Sequence, residues 1–218
     1  MIARIAIVAI PLLIAVVLHE VAHGAVAYQC GDPTAARAGR LTLNPVPHID
    51  PVGTLVLPGI LLLMPLLFGT SPFLFGWAKP VPIDPRWFRR PRLDGLLVAL
   101  AGPGTNLLLA ALSAVALGWL VSSGATDGAA GAFLGRLAQQ SIAVNCVLAV
   151  FNLLPIPPLD GGRVLAAILP GGAARWLAQL EQVGLVVVLL VVMNTGVLGK
   201  LVRPVVTACY ALARHIGG

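Results

Sequence analysis

The chain has 218 residues, 58% hydrophobic and only 10% charged, with a net charge of +6. Soluble domains carry about 25% charged residues, and the mean hydropathy here is +0.95, so a water-soluble fold is excluded for want of surface charge. The cationic surplus clusters near apolar segments and speaks to topology and lipid headgroups rather than to nucleic acid.

In chain order, residues 2–27 read as a first transmembrane helix, long enough for roughly 30 Å of hydrocarbon. Arg4 and Ala25-Val26-Ala27 give this run a superficial likeness to a signal peptide. The run is too long and too rich in ionisable groups for that, and is expected to stay. Residues 30–50 are polar and turn-rich, with a short strand expected over 37–43. Residues 52–68 are apolar but short, and Gly53, Pro58, Gly59 and Pro65 break them up; a re-entrant segment is expected. A basic loop over 69–92 contains Trp77-Ala78-Lys79-Pro80-Val81-Pro82, whose first three residues are a second candidate strand. Residues 93–121 and 133–154 are clear spans joined by a turn over 122–131. A Pro- and Gly-rich stretch over 155–172 follows, then a span over 177–193 and a weaker one over 197–213, which either crosses or lies on the surface. The expectation is an all-α polytopic membrane protein: a three-helix core, a re-entrant segment, one or two C-terminal helices and short cytoplasmic strands. It forms one domain over 1–218, with core 1–170 and C-terminal helices 171–218.

The first span contains His19-Glu20-Val21-Ala22-His23. Positions four apart share a helix face, so both imidazoles can reach one metal ion while Glu20 holds a water beside it. This is the zinc metalloprotease arrangement, and ionisable side chains inside a membrane helix are costly enough to imply a function. A catalytic zinc needs a third protein ligand. Asp32, Asp50, Asp84, Asp94, Asp127 and Glu181 lie in loops, turns or span ends. Asp160 leads because it stands in Asn152-Leu153-Leu154-Pro155-Ile156-Pro157-Pro158-Leu159-Asp160-Gly161-Gly162, an irregular segment of the kind tolerated at membrane depth only where protein or a cavity satisfies it. His48 reads as a solvated loop histidine. Cys30, Cys146 and Cys209 suggest neither a disulfide framework nor a cysteine zinc site.

These motifs, together with Gly24 and Ala101-Gly102-Pro103-Gly104-Thr105-Asn106, resemble the site-2 protease family of intramembrane metalloproteases. The likeness is to its compact bacterial members without a PDZ domain, and covers nearly the whole chain. It implies one Zn2+ per chain on His19, His23 and Asp160, with Glu20 as general base. It also implies that Asn152 holds substrate or the oxyanion, and that the substrate is a transmembrane protein in the lipid bilayer. The alternative is a membrane metal-ion transporter or metal-binding module. It would need a polar pathway between faces, for which the other spans offer little lining: Asn106 and Ser113 in the second, and Gln139, Gln140, Ser141 and Asn145 in the third.

Hydrolysis needs water, and His19 to His23 lie seven to eleven residues from Cys30, roughly 10–17 Å of helix. The site is therefore expected below the surface but off the midplane. Nine cations (Arg37, Arg40, Lys79, Arg86, Arg89, Arg90, Arg92, Arg163 and Arg175) would flank its face, against Arg4 and Arg136 opposite. By the positive-inside rule the site should open to the cytoplasm of a bacterial cell membrane.

Overall fold

The computed structural model describes residues 2–56, 59–60, 63–64, 76–173, 177, 184, 190 and 195–218. Among the described residues, three helices are long and apolar enough to cross a membrane: α1 (Ile2–Gln29), α3 (Pro91–Ser122) and α4 (Ala129–Asn152). The short α2 (Thr34–Arg37) follows α1, and α5 (Asp160–Ile168) follows α4. The protein is an all-α integral membrane protein. Helices suit it because lipid offers no partner for backbone polar groups, and a helix satisfies its own. Pro91 starts α3 where its missing N–H costs nothing, and Asp94 accepts a 2.7 Å bond from the Arg90 amide.

α1, α3 and α4 pack on one another. The C-terminal half of α1, the N-terminal half of α3 and the C-terminal half of α4 meet at one end, where the site forms. At the other end the core is built of small residues, including Ala110, Ala114, Cys146 and Ala213 around Ile142; such residues let helices approach closely in lipid. α6 (Val197–Gly217) completes this core through Val202 and Ala213. It lies lengthwise along the bundle, with Cys209 3.8 Å from Cys146 and Gly217 beside Gly118, and so ends at the face away from the site. Of the span expected over 177–193 only positions 177, 184 and 190 are described, and of 52–68 positions 57–58, 61–62 and 65–68 lie outside the described residues. The flanks of the latter are hydrogen-bonded to each other, Trp77 N to Gly53 O at 3.1 Å and Lys79 N to His48 O at 2.9 Å. Residues 48–53 and 77–79 therefore share one face.

The expected strands do not form; no strand occurs among the described residues. Asp32 takes the Thr34 amide at 2.9 Å and starts α2. The amides of Arg37, Ala38, Gly39 and Arg40 are then all bonded to carbonyls at positions 33–36. A segment whose amides are spent locally has none left for a ladder. Trp77 and Lys79, two residues apart, bond Gly53 and His48, five residues apart, which is no ladder register, and Pro80 and Pro82 have no N–H to add.

Candidate metal centre

His19 and His23 sit one turn apart on α1 and are nearly fully buried. His19 Nδ1 lies 2.6 Å from Asn106 Oδ1, and His23 Nδ1 lies 2.6 Å from Val98 O. A carbonyl only accepts, so His23 donates through Nδ1. Asn106 turns its amide nitrogen to Asn145 Oδ1 at 2.9 Å and Ala15 O at 3.3 Å, which leaves only its oxygen for His19. Both rings therefore donate through Nδ1 and turn Nε2 toward Asp160. The two Nε2 atoms are 3.0 Å apart, and Asp160 Oδ2 is 3.1 and 3.2 Å from them.

Three potential metal-ligand atoms thus converge, and Asp160 Oδ2 is buried without a hydrogen bond. A cation among them would satisfy all three. These three are the His, Asp, Glu and Cys side chains that cluster at metal-ligand spacing among the described residues. The glycines make the geometry possible. A Cβ on Gly102 would overlap both imidazoles, and one on Gly161 would overlap the carbonyls of Leu153 and Leu154. The Gly161-Gly162 pair lets the start of α5 nest against the 153–157 loop, which brings Asp160 to the histidines.

Glu20 is on the same turn, and its Oε2 accepts from Val81 N at 2.8 Å. A cavity of about 140 Å³ opens beside it, lined by His19, Glu20, His23, Asn152, Asp160 and Arg163 together with Pro80 and Val81. Asn152 donates through Nδ2 to Leu148 O at 3.0 Å and still faces the cavity. Four of the other acidic groups are engaged elsewhere, and Asp127 lies in the turn between α3 and α4 at the far end of the bundle. Asp32 bonds the amides of Thr34 and Asp84, Asp50 those of Val52 and Gly53, and Asp84 the Arg86 side chain. Asp94 starts α3, and Glu181 lies outside the described residues.

The family model described as "Peptidase family M50" matches residues 126–194, the stretch that carries Asn152 and Asp160. The protein named "Putative zinc metalloprotease YwhC" of Bacillus subtilis is 41% identical over 181 residues, 83% of this chain and 77% of YwhC. The chain belongs to peptidase family M50. Two proteins named "Putative zinc metalloprotease Rip2" are each 34% identical: that of Mycolicibacterium smegmatis over 82% of this chain, and that of Mycobacterium tuberculosis over 81%. This M50 chain spans 64% and 62% of their respective lengths. No solved structure matches it significantly. Family M50 is the site-2 protease family, and membership makes the chain a metalloprotease.

Sequence reasoning missed the support behind the two histidines in this M50 metalloprotease. Asn106 is 0% exposed and begins a chain of bonds through Asn145 to Ser141, whose hydroxyl meets Ser113 at 2.8 Å. Ser141 and Asn145, two candidates for a transport pathway, are thus spent holding α4 to α3. A lone Asn in an apolar helix beside Gly-Pro-Gly was the available signal. His48 is a correction: it is 2% exposed rather than solvated, because its Nε2 bonds Thr42 O at 3.0 Å and its carbonyl holds Lys79. Hydrogen bonds from Arg86 hold the Asp84 carboxyl low, while burial, then the Asp94 carboxylate, pushes the Cys30 thiol up. Neither lines the cavity.

Proposed function

We propose that this metalloprotease is a zinc-dependent intramembrane endopeptidase that hydrolyses peptide bonds of transmembrane proteins. The observation that carries the reading is the meeting of two imidazole nitrogens and one buried carboxylate oxygen in an apolar helix bundle. A tetrahedral zinc with bonds of about 2.0–2.1 Å separates its ligands by roughly 3.3 Å; the three donor atoms here are 3.0–3.2 Å apart. His19, His23 and Asp160 would hold one ion and leave a fourth position toward the cavity. The relatives named as zinc metalloproteases agree with that choice of metal.

When bound, zinc supplies Lewis acidity, polarising the scissile carbonyl and lowering the pKa of water. The chain does the rest. Glu20 takes a proton from the attacking water, and since Val81 N occupies Oε2, Oε1 is the atom free for that exchange. The same carboxyl then hands the proton to the departing amine nitrogen. Asn152, on the cavity wall, holds the substrate backbone or stabilises the developing oxyanion. A cavity of about 140 Å³ cannot admit a helix about 10 Å across, so the substrate must unwind to be cut.

Purified in detergent, the protein is expected to hold about one zinc per chain. A chelator should abolish cleavage of a single-span substrate, and added zinc should restore it. Full cleavage after the metal has been stripped would defeat the reading.

The site opens to the cytoplasm of a bacterial cell, with residues 48–53 and 77–79 on that one face. Two observations favour this. Those two stretches bond each other, and among the described residues the cationic loops attach to the site end. Arg214 joins Arg136 at the opposite end, because α6 finishes beside Gly118, but the excess persists. Single cysteines at the exposed positions 38 and 86, in a chain stripped of native cysteines, should both be labelled from the cytoplasmic face by an impermeant reagent. Labelling from opposite faces would contradict the topology.

A further inference from the structure

Glu20 is aimed by a loop, and the loop is held by a buried cation. Arg40 is only 7% exposed. Its Nη2 donates to Lys79 O at 2.6 Å and to Pro80 O at 3.3 Å, while its Nε has no partner. A guanidinium taken from water and left partly unsatisfied is expensive, so what it holds is informative. It holds the two carbonyls that immediately precede the Val81 amide, and that amide is the donor to Glu20 Oε2.

The sequence Lys79-Pro80-Val81-Pro82 suits such a device. Neither proline has an N–H, so Val81 carries the sole donor of residues 80–82, and the fixed φ of each ring stiffens the strip. Val81 is buried. It seats on α1 at Gly24, where an added Cβ would come within 2.9 Å of its Cγ1 and 2.7 Å of Leu41 Cδ2. The strip is gripped from the other side as well, since His48 O takes the Lys79 amide at 2.9 Å.

We propose that Arg40 is a positioning residue for the general base: by fixing the Lys79 and Pro80 carbonyls it sets the direction of the Val81 amide, and so the direction of the Glu20 carboxylate. This rests on the reading of Glu20 as the base. Arg40 touches neither the metal ligands nor the cavity, so its removal should leave zinc content and substrate binding alone while misaligning the carboxylate.

The test uses the full chain in detergent and a quenched fluorogenic peptide of one apolar span with a central Gly-Pro pair. Arg40→Met should lower kcat roughly 10–100-fold, the range for losing one hydrogen bond to a charged group, with KM and zinc content moving less than about twofold. Arg40→Lys, which keeps one donor, should recover part of the loss. Val81→Pro removes the amide donor itself. It should reproduce the defect, and the double variant should be no worse than either single one, because both act on one contact. A second readout does not need turnover. The chain has two glutamates, Glu20 and Glu181, so in a Glu181→Gln background carboxyl-13C glutamate reports Glu20 alone. Its resonance should move in Arg40→Met and move likewise in Val81→Pro. An unmoved resonance, additive losses, or a fall in zinc matching the fall in kcat would each overturn the proposal. If instead Glu20→Gln keeps full turnover, the reading of Glu20 as base fails, whatever Arg40 does.

Discussion

Asp160→Ala should release the metal, with the apparent zinc affinity falling by three or more orders of magnitude. Structural zinc sites bind with roughly 10–16 kcal/mol shared among their ligands, so one ligand accounts for several. The loss should be steep because nothing nearby can substitute. Asp32, Asp50, Asp84 and Asp94 are committed to other amides or to an arginine. Asn106→Leu should behave differently. It leaves all three donors in place but frees His19 Nδ1 from the bond that fixes its tautomer, and loss of such support typically costs 10–100-fold in affinity. Competition against a chromophoric chelator measures both. Zinc retained in full by the Asp160 variant would remove that residue from the ligand set, and an Asn106 variant as damaged as the Asp160 one would mean that the asparagine holds the bundle together rather than the ring.

The contrast between these two variants follows how the site could be read from the sequence. His19 and His23 were legible because the helix period alone puts them on one face, and no other part of the chain is needed. Asp160 was legible at one remove, since three prolines and two glycines in an apolar setting demand a buried purpose. The three spans were legible for a similar reason: a long apolar run has one stable form in lipid. What could not be read are the contacts set by how helices meet. That Val98 offers a carbonyl to His23, or that Gly102 clears space for both rings, depends on the rotation of α3 against α1, which hydropathy does not encode. The strands failed on a competition between local and distant bonding. Residues 37–43 have a strand-like pattern, but Asp32 nucleates a turn just before them, and a nearby carboxylate reaches an amide at less entropic cost than a distant strand. His48 misled in the same way: a polar residue in a loop looks solvated until the loop folds back on Lys79.

Glu20→Gln should separate binding from chemistry. The substitution is close to isosteric and leaves His19, His23 and Asp160 unaltered, so zinc content should match that of the unmodified chain. Hydrolysis should fall by roughly 10²–10⁴, the usual contribution of a positioned general base. The amide oxygen of the substituted side chain can still accept from Val81 N, as Oε2 of Glu20 does at 2.8 Å, so the side chain should keep its direction. The atom turned to the cavity then becomes an NH2 group, which donates where the reaction needs an acceptor. Glu20→Asp makes the complementary change, retaining the base but withdrawing it by about one carbon–carbon bond, enough to lose hydrogen-bond reach to a water beside the metal. It should keep zinc and a small residual rate. Single-turnover cleavage of a single-span substrate, with metal content measured on the same sample, gives both quantities together. Full turnover in Glu20→Gln would require another base. Asn152 and Arg163 are the remaining polar side chains on the cavity wall that bind no metal, and neither an amide nor a guanidinium takes up a proton at neutral pH, so that outcome would overturn the hydrolytic reading of the cavity itself.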